Sequence, residues 1–118
     1  MNTTEEVKEV LCSAIDERRL VKFYYESEKS KKKEWRIVQP YIIGINKKGN
    51  IFLAALPISE LKKKIEDRIT PHYLLKKIDI SKIKLLPKKY DQPLVARKRI
   101  VDTPTIKVIC RFIYDDER

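Results

Sequence analysis

The sequence predicts a small α+β domain, mainly β, with one leading helix and about five short strands in a strongly bent sheet or barrel. Three observations predict it. Helical apolar spacing is cleanest in the first 18 residues. From residue 20 onward, short aromatic and β-branched runs alternate with polar turns. The chain is 118 residues long, the size of one domain, and holds only two glycines.

The elements follow in order. Thr3 and Glu6 stand at capping-box spacing, and Val7, Val10, Leu11, Ala14 and Ile15 form one apolar stripe. Glu5 and Glu6 suit the positive end of the helix dipole, and Arg18 and Arg19 the negative end. Residues 21–26 read as a strand with Val21, Phe23 and Tyr25 on one face. Residues 27–34, SEKSKKKE, are a polar turn. The second strand, WRIVQPYIIGI over 35–45, must bend at Pro40, because proline has no N–H for the ladder. Arg36 in that run needs a carboxylate, a phosphate or a ligand as partner. Residues 46–50 form a hairpin turn and 51–56 a third strand. Residues 57–70 fit either a short helix capped by Ser59, with Ile58, Leu61 and Ile65 on one face, or an elongated loop. Residues 72–80 and 81–86 read as one or two further strands, and 105–114 as the last.

The charge is lopsided: 27 Lys+Arg against 17 Asp+Glu give a net charge of +10 and a pI near 9.6. Such a balance favours an anionic partner, although net charge alone speaks to association and not to a site. Cys12 and Cys110 both sit in apolar segments, so the expectation is two buried free thiols rather than a disulfide, in a reducing cytoplasm. A single histidine, His72, and no CxxC leave no material for a zinc site. No apolar run has the length of a membrane span, and the acidic, polar start does not read as a signal peptide.

The inventory for catalysis is poor, and the expectation is a non-enzyme without a cofactor. No nucleophile–base pair can be named. Glu66 and Asp67 lie in a charged, solvated run, and His72 at the start of a strand reads as structural. Binding chemistry is better supplied. Arg36, Lys76, Lys77, Lys82 and Lys84 fall on predicted strands, with Lys82 and Lys84 sharing a face. Tyr24, Tyr41, Phe52 and Tyr73 offer rings on which a base can stack. The plainer reading makes the rings core and the lysines guards of strand edges.

A leading helix, then KFYYE, then WRIVQPYIIGINKKGNIFLAA, then KKIDISKIKLLPKKYDQP, resembles the WYL-domain family of bacteria. That family has an arginine two residues before a hydrophobic one and four before a Pro-Tyr/Phe pair, which corresponds to Arg36, Val38, Pro40 and Tyr41. Its Trp-Tyr-Leu strand reads Ile51-Phe52-Leu53 here. Its Arg-x-Phe-x-Leu-x-Arg-Ile stretch is matched to residues 76–83, with Lys76 and Lys82 at the arginine positions. The resemblance covers residues 7–93.

It implies an Sm-like, SH3-type, five-stranded β-barrel behind an N-terminal helix. It divides the chain into a WYL-like domain, 1–93, with its helix at 3–18, its barrel at 20–90 and an insertion near 57–70. A C-terminal extension, 94–118, carries one extra strand. It also implies a ligand-sensing domain of the transcriptional-regulator type, binding nucleic acid or a nucleotide-like anion through a basic, aromatic pocket. Arg36, Tyr41, Phe52, Lys76 and Lys82 inherit that pocket. Lysine for arginine keeps the charge but loses the planar fork. A helix-turn-helix partner or missing domain is implied as well. An open final strand favours a homodimer. The competing expectation is an interaction and dimerisation module without a small ligand.

Overall fold

Helix α1 (Thr3–Glu17) buries Val7, Leu11, Ala14 and Ile15 against the sheet, as the apolar stripe requires. The computed structural model describes residues 3–26 and 33–117, Thr3 without its side chain. The Thr3 cap and most of the 27–34 turn therefore lie outside the described residues. The helix ends at Arg18, whose φ of 56° is left-handed, a conformation that strains a residue with a Cβ. Its guanidinium is held from far along the chain. It donates to the carbonyls of Asp91 (2.6 Å) and Ile113 (3.2 Å). It also pairs with Asp115 at 2.8 Å and lies 4.6 Å from the Phe112 ring centroid.

The strands are β1 (Arg19–Glu26), β2 (Lys33–Ile45), β3 (Ile51–Pro57), β4 (His72–Leu74), β5 (Ile83–Lys89) and β6 (Lys107–Arg111). Their order is β4-β3-β2-β1-β5, with β6 added to β2, and every pairing is antiparallel. The long β2 organises the sheet. Its first half pairs with β1 up to Val21↔Val38, and its second half pairs with β6 from Ile42↔Arg111. The change of partner falls at Pro40, where the register with β3 shifts and Tyr41 becomes the extra residue of a bulge. The Tyr90 hydroxyl donates to the Pro40 carbonyl at 2.6 Å, and the Phe112 N–H donates to the Tyr41 carbonyl at 2.7 Å. Pro40 is the corner the sequence required.

The sheet curls but does not close: β4 and β5 end the path without pairing to each other. The expected barrel is thus an open, bent sheet of six strands beneath one helix. Gly44 lets β6 approach, since a Cβ there would meet Thr105 Oγ1 at 2.7 Å and the Lys107 carbonyl at 3.0 Å. Val95, Ile100, Phe112 and Tyr114, from the C-terminal extension, join the same core as α1 and the strands.

Three local expectations change. The free-thiol reading is overturned, because Cys12 and Cys110 form a disulfide between α1 and β6. Pairing of β6 to β2 beside α1 brings the two Cα atoms to 5.9 Å, across a sequence separation of 98. Residues 72–86 are not continuous strand. His72–Leu74 pairs with β3 and the chain pairs again only from Ile83, where β5 begins; 3₁₀ turns occupy Leu75–Lys77 and Ile80–Lys82 between them. The Asp79 carboxylate accepts from both the N–H (2.9 Å) and the hydroxyl (2.8 Å) of Ser81, a local bond that turns the chain. Lys76, Lys77 and Lys82 therefore leave the strands on which they were placed.

Residues 57–70 follow the elongated-loop alternative, with 3₁₀ turns at Ile58–Lys62 and Ile65–Asp67 and no side-chain cap on the first. Two charged residues hold the loop. Glu60 pairs with Lys63 at 2.8 Å and accepts from the Ile69 N–H at 2.9 Å. Arg68 donates to the carbonyls of Lys63, Leu61 and Leu94. The polar stretch after Val95 contains a short helix, α2 (Arg97–Val101), and the last strand is β6 alone.

Candidate ligand-binding surface

Arg36 lies opposite Phe23, on the inward row of β2 that continues to buried Val38. Its side chain is 23% exposed and pairs with Glu34 at 3.0 Å. Its Nε is buried without a hydrogen-bond partner, an uncommon state for a guanidinium nitrogen. A cleft of about 250 Å³ opens beside it, lined by Trp35, Ile37, Pro57 and Ser59 among others. Deeper in, Tyr73 packs edge-to-face on Phe23 and Tyr25, and the Tyr25 hydroxyl accepts from the Leu74 N–H at 3.0 Å. Burial pushes the Tyr73 hydroxyl up to about 12, while the Arg36 charge pulls the other way.

The other expected residues lie elsewhere. Lys82 reaches over the Tyr24 ring at 5.1 Å, beside a cleft of about 280 Å³ that Tyr25, Lys33, Lys77 and Asp79 also line. Lys76 borders a larger cleft of about 930 Å³ between the 46–50 turn, β4 and residues 104–106. Tyr41 is fully buried in its bulge. Its hydroxyl donates to the Gln39 side chain and accepts from the Leu94 N–H at 3.2 Å. Burial raises its pKa, and the Leu94 bond offsets that only in part. Phe52 is fully buried too, beneath the ring of His72, with centroids 4.4 Å apart. Desolvation in this stack holds the His72 imidazole below its ordinary pKa.

The structure therefore sets Arg36, Lys76 and Lys82 around three clefts and puts Tyr41 and Phe52 behind the surface. Sequence reasoning passed over Trp35, which touches Tyr24 edge-to-face at 5.5 Å. The signal was present on β1, where Tyr24 alternates with buried Phe23 and Tyr25, and register sets Trp35 beside it. Among the described residues no group of three His, Cys, Asp or Glu can hold a metal ion. No helix among them is long and apolar enough to cross a membrane.

One helix packed on a curled antiparallel sheet, with cations and tyrosines around open clefts, defines a small α+β domain of mainly β character. The family model of the WYL domain matches residues 6–65, and the chain belongs to that family. Arg36, Tyr41 and Phe52 fall inside the match; Lys76 and Lys82 fall beyond it. Among solved structures, the chain is similar to proteasome accessory factor B/C (PafBC) of Arthrobacter aurescens. The two share 15% identity at a TM-score of 0.64, over 87% of this chain and 15% of that one. That likeness is one of fold, and the chain spans a small part of the length of PafBC. No curated protein matches the chain.

Proposed function

We propose that this chain is a regulatory sensing domain that binds a nucleic acid or nucleotide-like anion with Arg36 at the centre of the site. The carrying observation is the Arg36 guanidinium, mostly covered, open to a cleft and with its Nε unpartnered. A phosphate or a base edge in that cleft meets the guanidinium beside its Glu34 partner. Lys82 and Lys76 add charge from neighbouring clefts, and Tyr41 and Phe52 support the walls from behind. Domains 1–93 and 94–118 then act as sensor and brace. No bond is made or broken. The ligand shifts the state of an attached or associated DNA-binding partner by binding one state better than the other.

The test is fluorescence anisotropy of short single-stranded RNA and DNA, wild type against Arg36→Ala, across a salt series. Salt-sensitive binding that the substitution weakens supports the reading. Binding that is absent, or indifferent to Arg36, refutes it.

A second reading rests on β6. Ile106 and Val108 are 66% and 45% exposed beside a strand whose only partner among the described strands is β2. An open apolar edge of this kind favours pairing with a second copy. Such a dimer persists in high salt and is indifferent to Arg36→Ala, whereas the sensor's ligand binding weakens under both.

A further inference from the structure

We infer that the outer face of β1 and β2 is a stacking platform for a single nucleic-acid strand, built on Tyr24 and Trp35 and separate from the Arg36 guanidinium. Period-two alternation sends Val21, Phe23 and Tyr25 into the core, so Lys22, Tyr24 and Glu26 face outward. Antiparallel register sets Tyr24 directly across from Trp35 and Lys22 across from both Ile37 and Lys84. The two rings meet at 5.5 Å on a sheet face, and Trp35 leaves 49% of itself exposed.

An exposed tryptophan contributes nothing to the core, and here each ring is attended by a cation. Lys22 Nζ lies 5.2 Å from the Trp35 ring, and Lys82 Nζ lies 5.1 Å from the Tyr24 ring. Lys33 and Lys84 are exposed close by. The acids in reach are Glu26, at the register position of Lys33, Glu34, paired with Arg36, and Asp79, engaged by Ser81. Positive charge therefore dominates the face. Tyr24 lines the Lys82 cleft and Trp35 lines the Arg36 cleft, so the ring pair joins the two.

Aromatic rings flanked by flexible cations on a sheet match the chemistry of unpaired bases joined by phosphates. Bases stack on the rings, and lysines turn to the backbone. A duplex hides the faces of its bases, so the occupant is single-stranded. The platform adds bases to whatever the Arg36 cleft holds, and it does not require that cleft to be filled.

Trp35 is the sole tryptophan in the chain, so its fluorescence reports stacking directly. The experiment titrates the full chain with a twelve-nucleotide oligothymidylate and with an abasic strand of equal length and charge. Expected are quenching by the first and none by the second. Trp35→Ala and Tyr24→Ala should each weaken anisotropy-measured affinity at least about five-fold. Trp35→Phe should retain most of it, and Arg36→Ala should still be quenched. Equal binding of both strands, or affinity indifferent to Trp35→Ala with an unchanged circular-dichroism spectrum, overturns the platform. So does absence of any binding. Affinity unchanged by Arg36→Ala with quenching intact would refute the proposed sensing site alone.

Discussion

Reduction of the Cys12–Cys110 bond should be the most damaging chemical change this fold can undergo short of denaturation. The bond closes a loop across a sequence separation of 98, from the second turn-pair of α1 to β6. The loop-entropy relation puts a cross-link of about this span near 4.7 kcal/mol, an upper figure because reduced chains keep residual structure. With a urea slope of about 1.5 kcal/mol/M, the midpoint falls by roughly 3 M at most. The assay compares urea unfolding of oxidised protein, reduced protein and the Cys12→Ser/Cys110→Ser variant, with thiol titration of each under denaturing conditions. The damage should be felt first at β6 and at residues 112–117, whose hold on the sheet includes the Phe112 bond to Tyr41. Two free thiols in unreduced protein, or a midpoint shift under about 0.5 M on complete reduction, would refute the reasoning.

Other expectations rest on single residues. Arg18→Ala removes a guanidinium that serves two carbonyls, an aspartate and a ring, and should cost about 2–3 kcal/mol in chemical denaturation. Arg18→Gly should lose roughly 1 kcal/mol less, because glycine relieves the left-handed φ; equal losses would show that the contacts alone matter. Gly44→Ala forces a methyl against Thr105 Oγ1 and the Lys107 carbonyl and should destabilise by about 1–3 kcal/mol, with β6 amides exchanging faster. An unchanged melting temperature would contradict that crowding. The Lys63 ion pair, and then the Ile69 N–H, hold Glu60 below its ordinary value of 4.5. The stabilisation is therefore complete above that value and lost as pH falls through the lower folded one. Protection of the Ile69 amide, relative to its intrinsic exchange rate at each pH, should fall in acid, and Glu60→Gln should flatten that dependence; parallel curves would sink the idea.

The parts of the fold readable from the sequence are those decided within a few residues. The α1 stripe needs only its own spacing, and Pro40 announces a corner because it lacks a donor whatever it packs against. What escaped reading is decided by pairing far along the chain. Arg18 looked like a helix-dipole cation, yet its partners at 91, 113 and 115 exist only once the extension folds back. Cys12 and Cys110 meet only because β6 takes the edge of β2 that β1 vacates. Residues 75–82 failed for the opposite reason, since one local Asp79–Ser81 bond outweighed strand propensity.

The site shows a third kind of failure. Alternation tells which residues share a face but not whether that face meets solvent or core. That Arg36 would be paired was legible, because charge on an inward row demands a partner, and Glu34 supplies one. The depth of Tyr41 and Phe52 was not, because a buried ring and a pocket ring have the same sequence spacing. The opposite row carries the sharper information. An inward aromatic has a ready use in packing, whereas Trp35, placed by register on the outward row beside Tyr24, has none within the chain except the ring and the lysines that attend it.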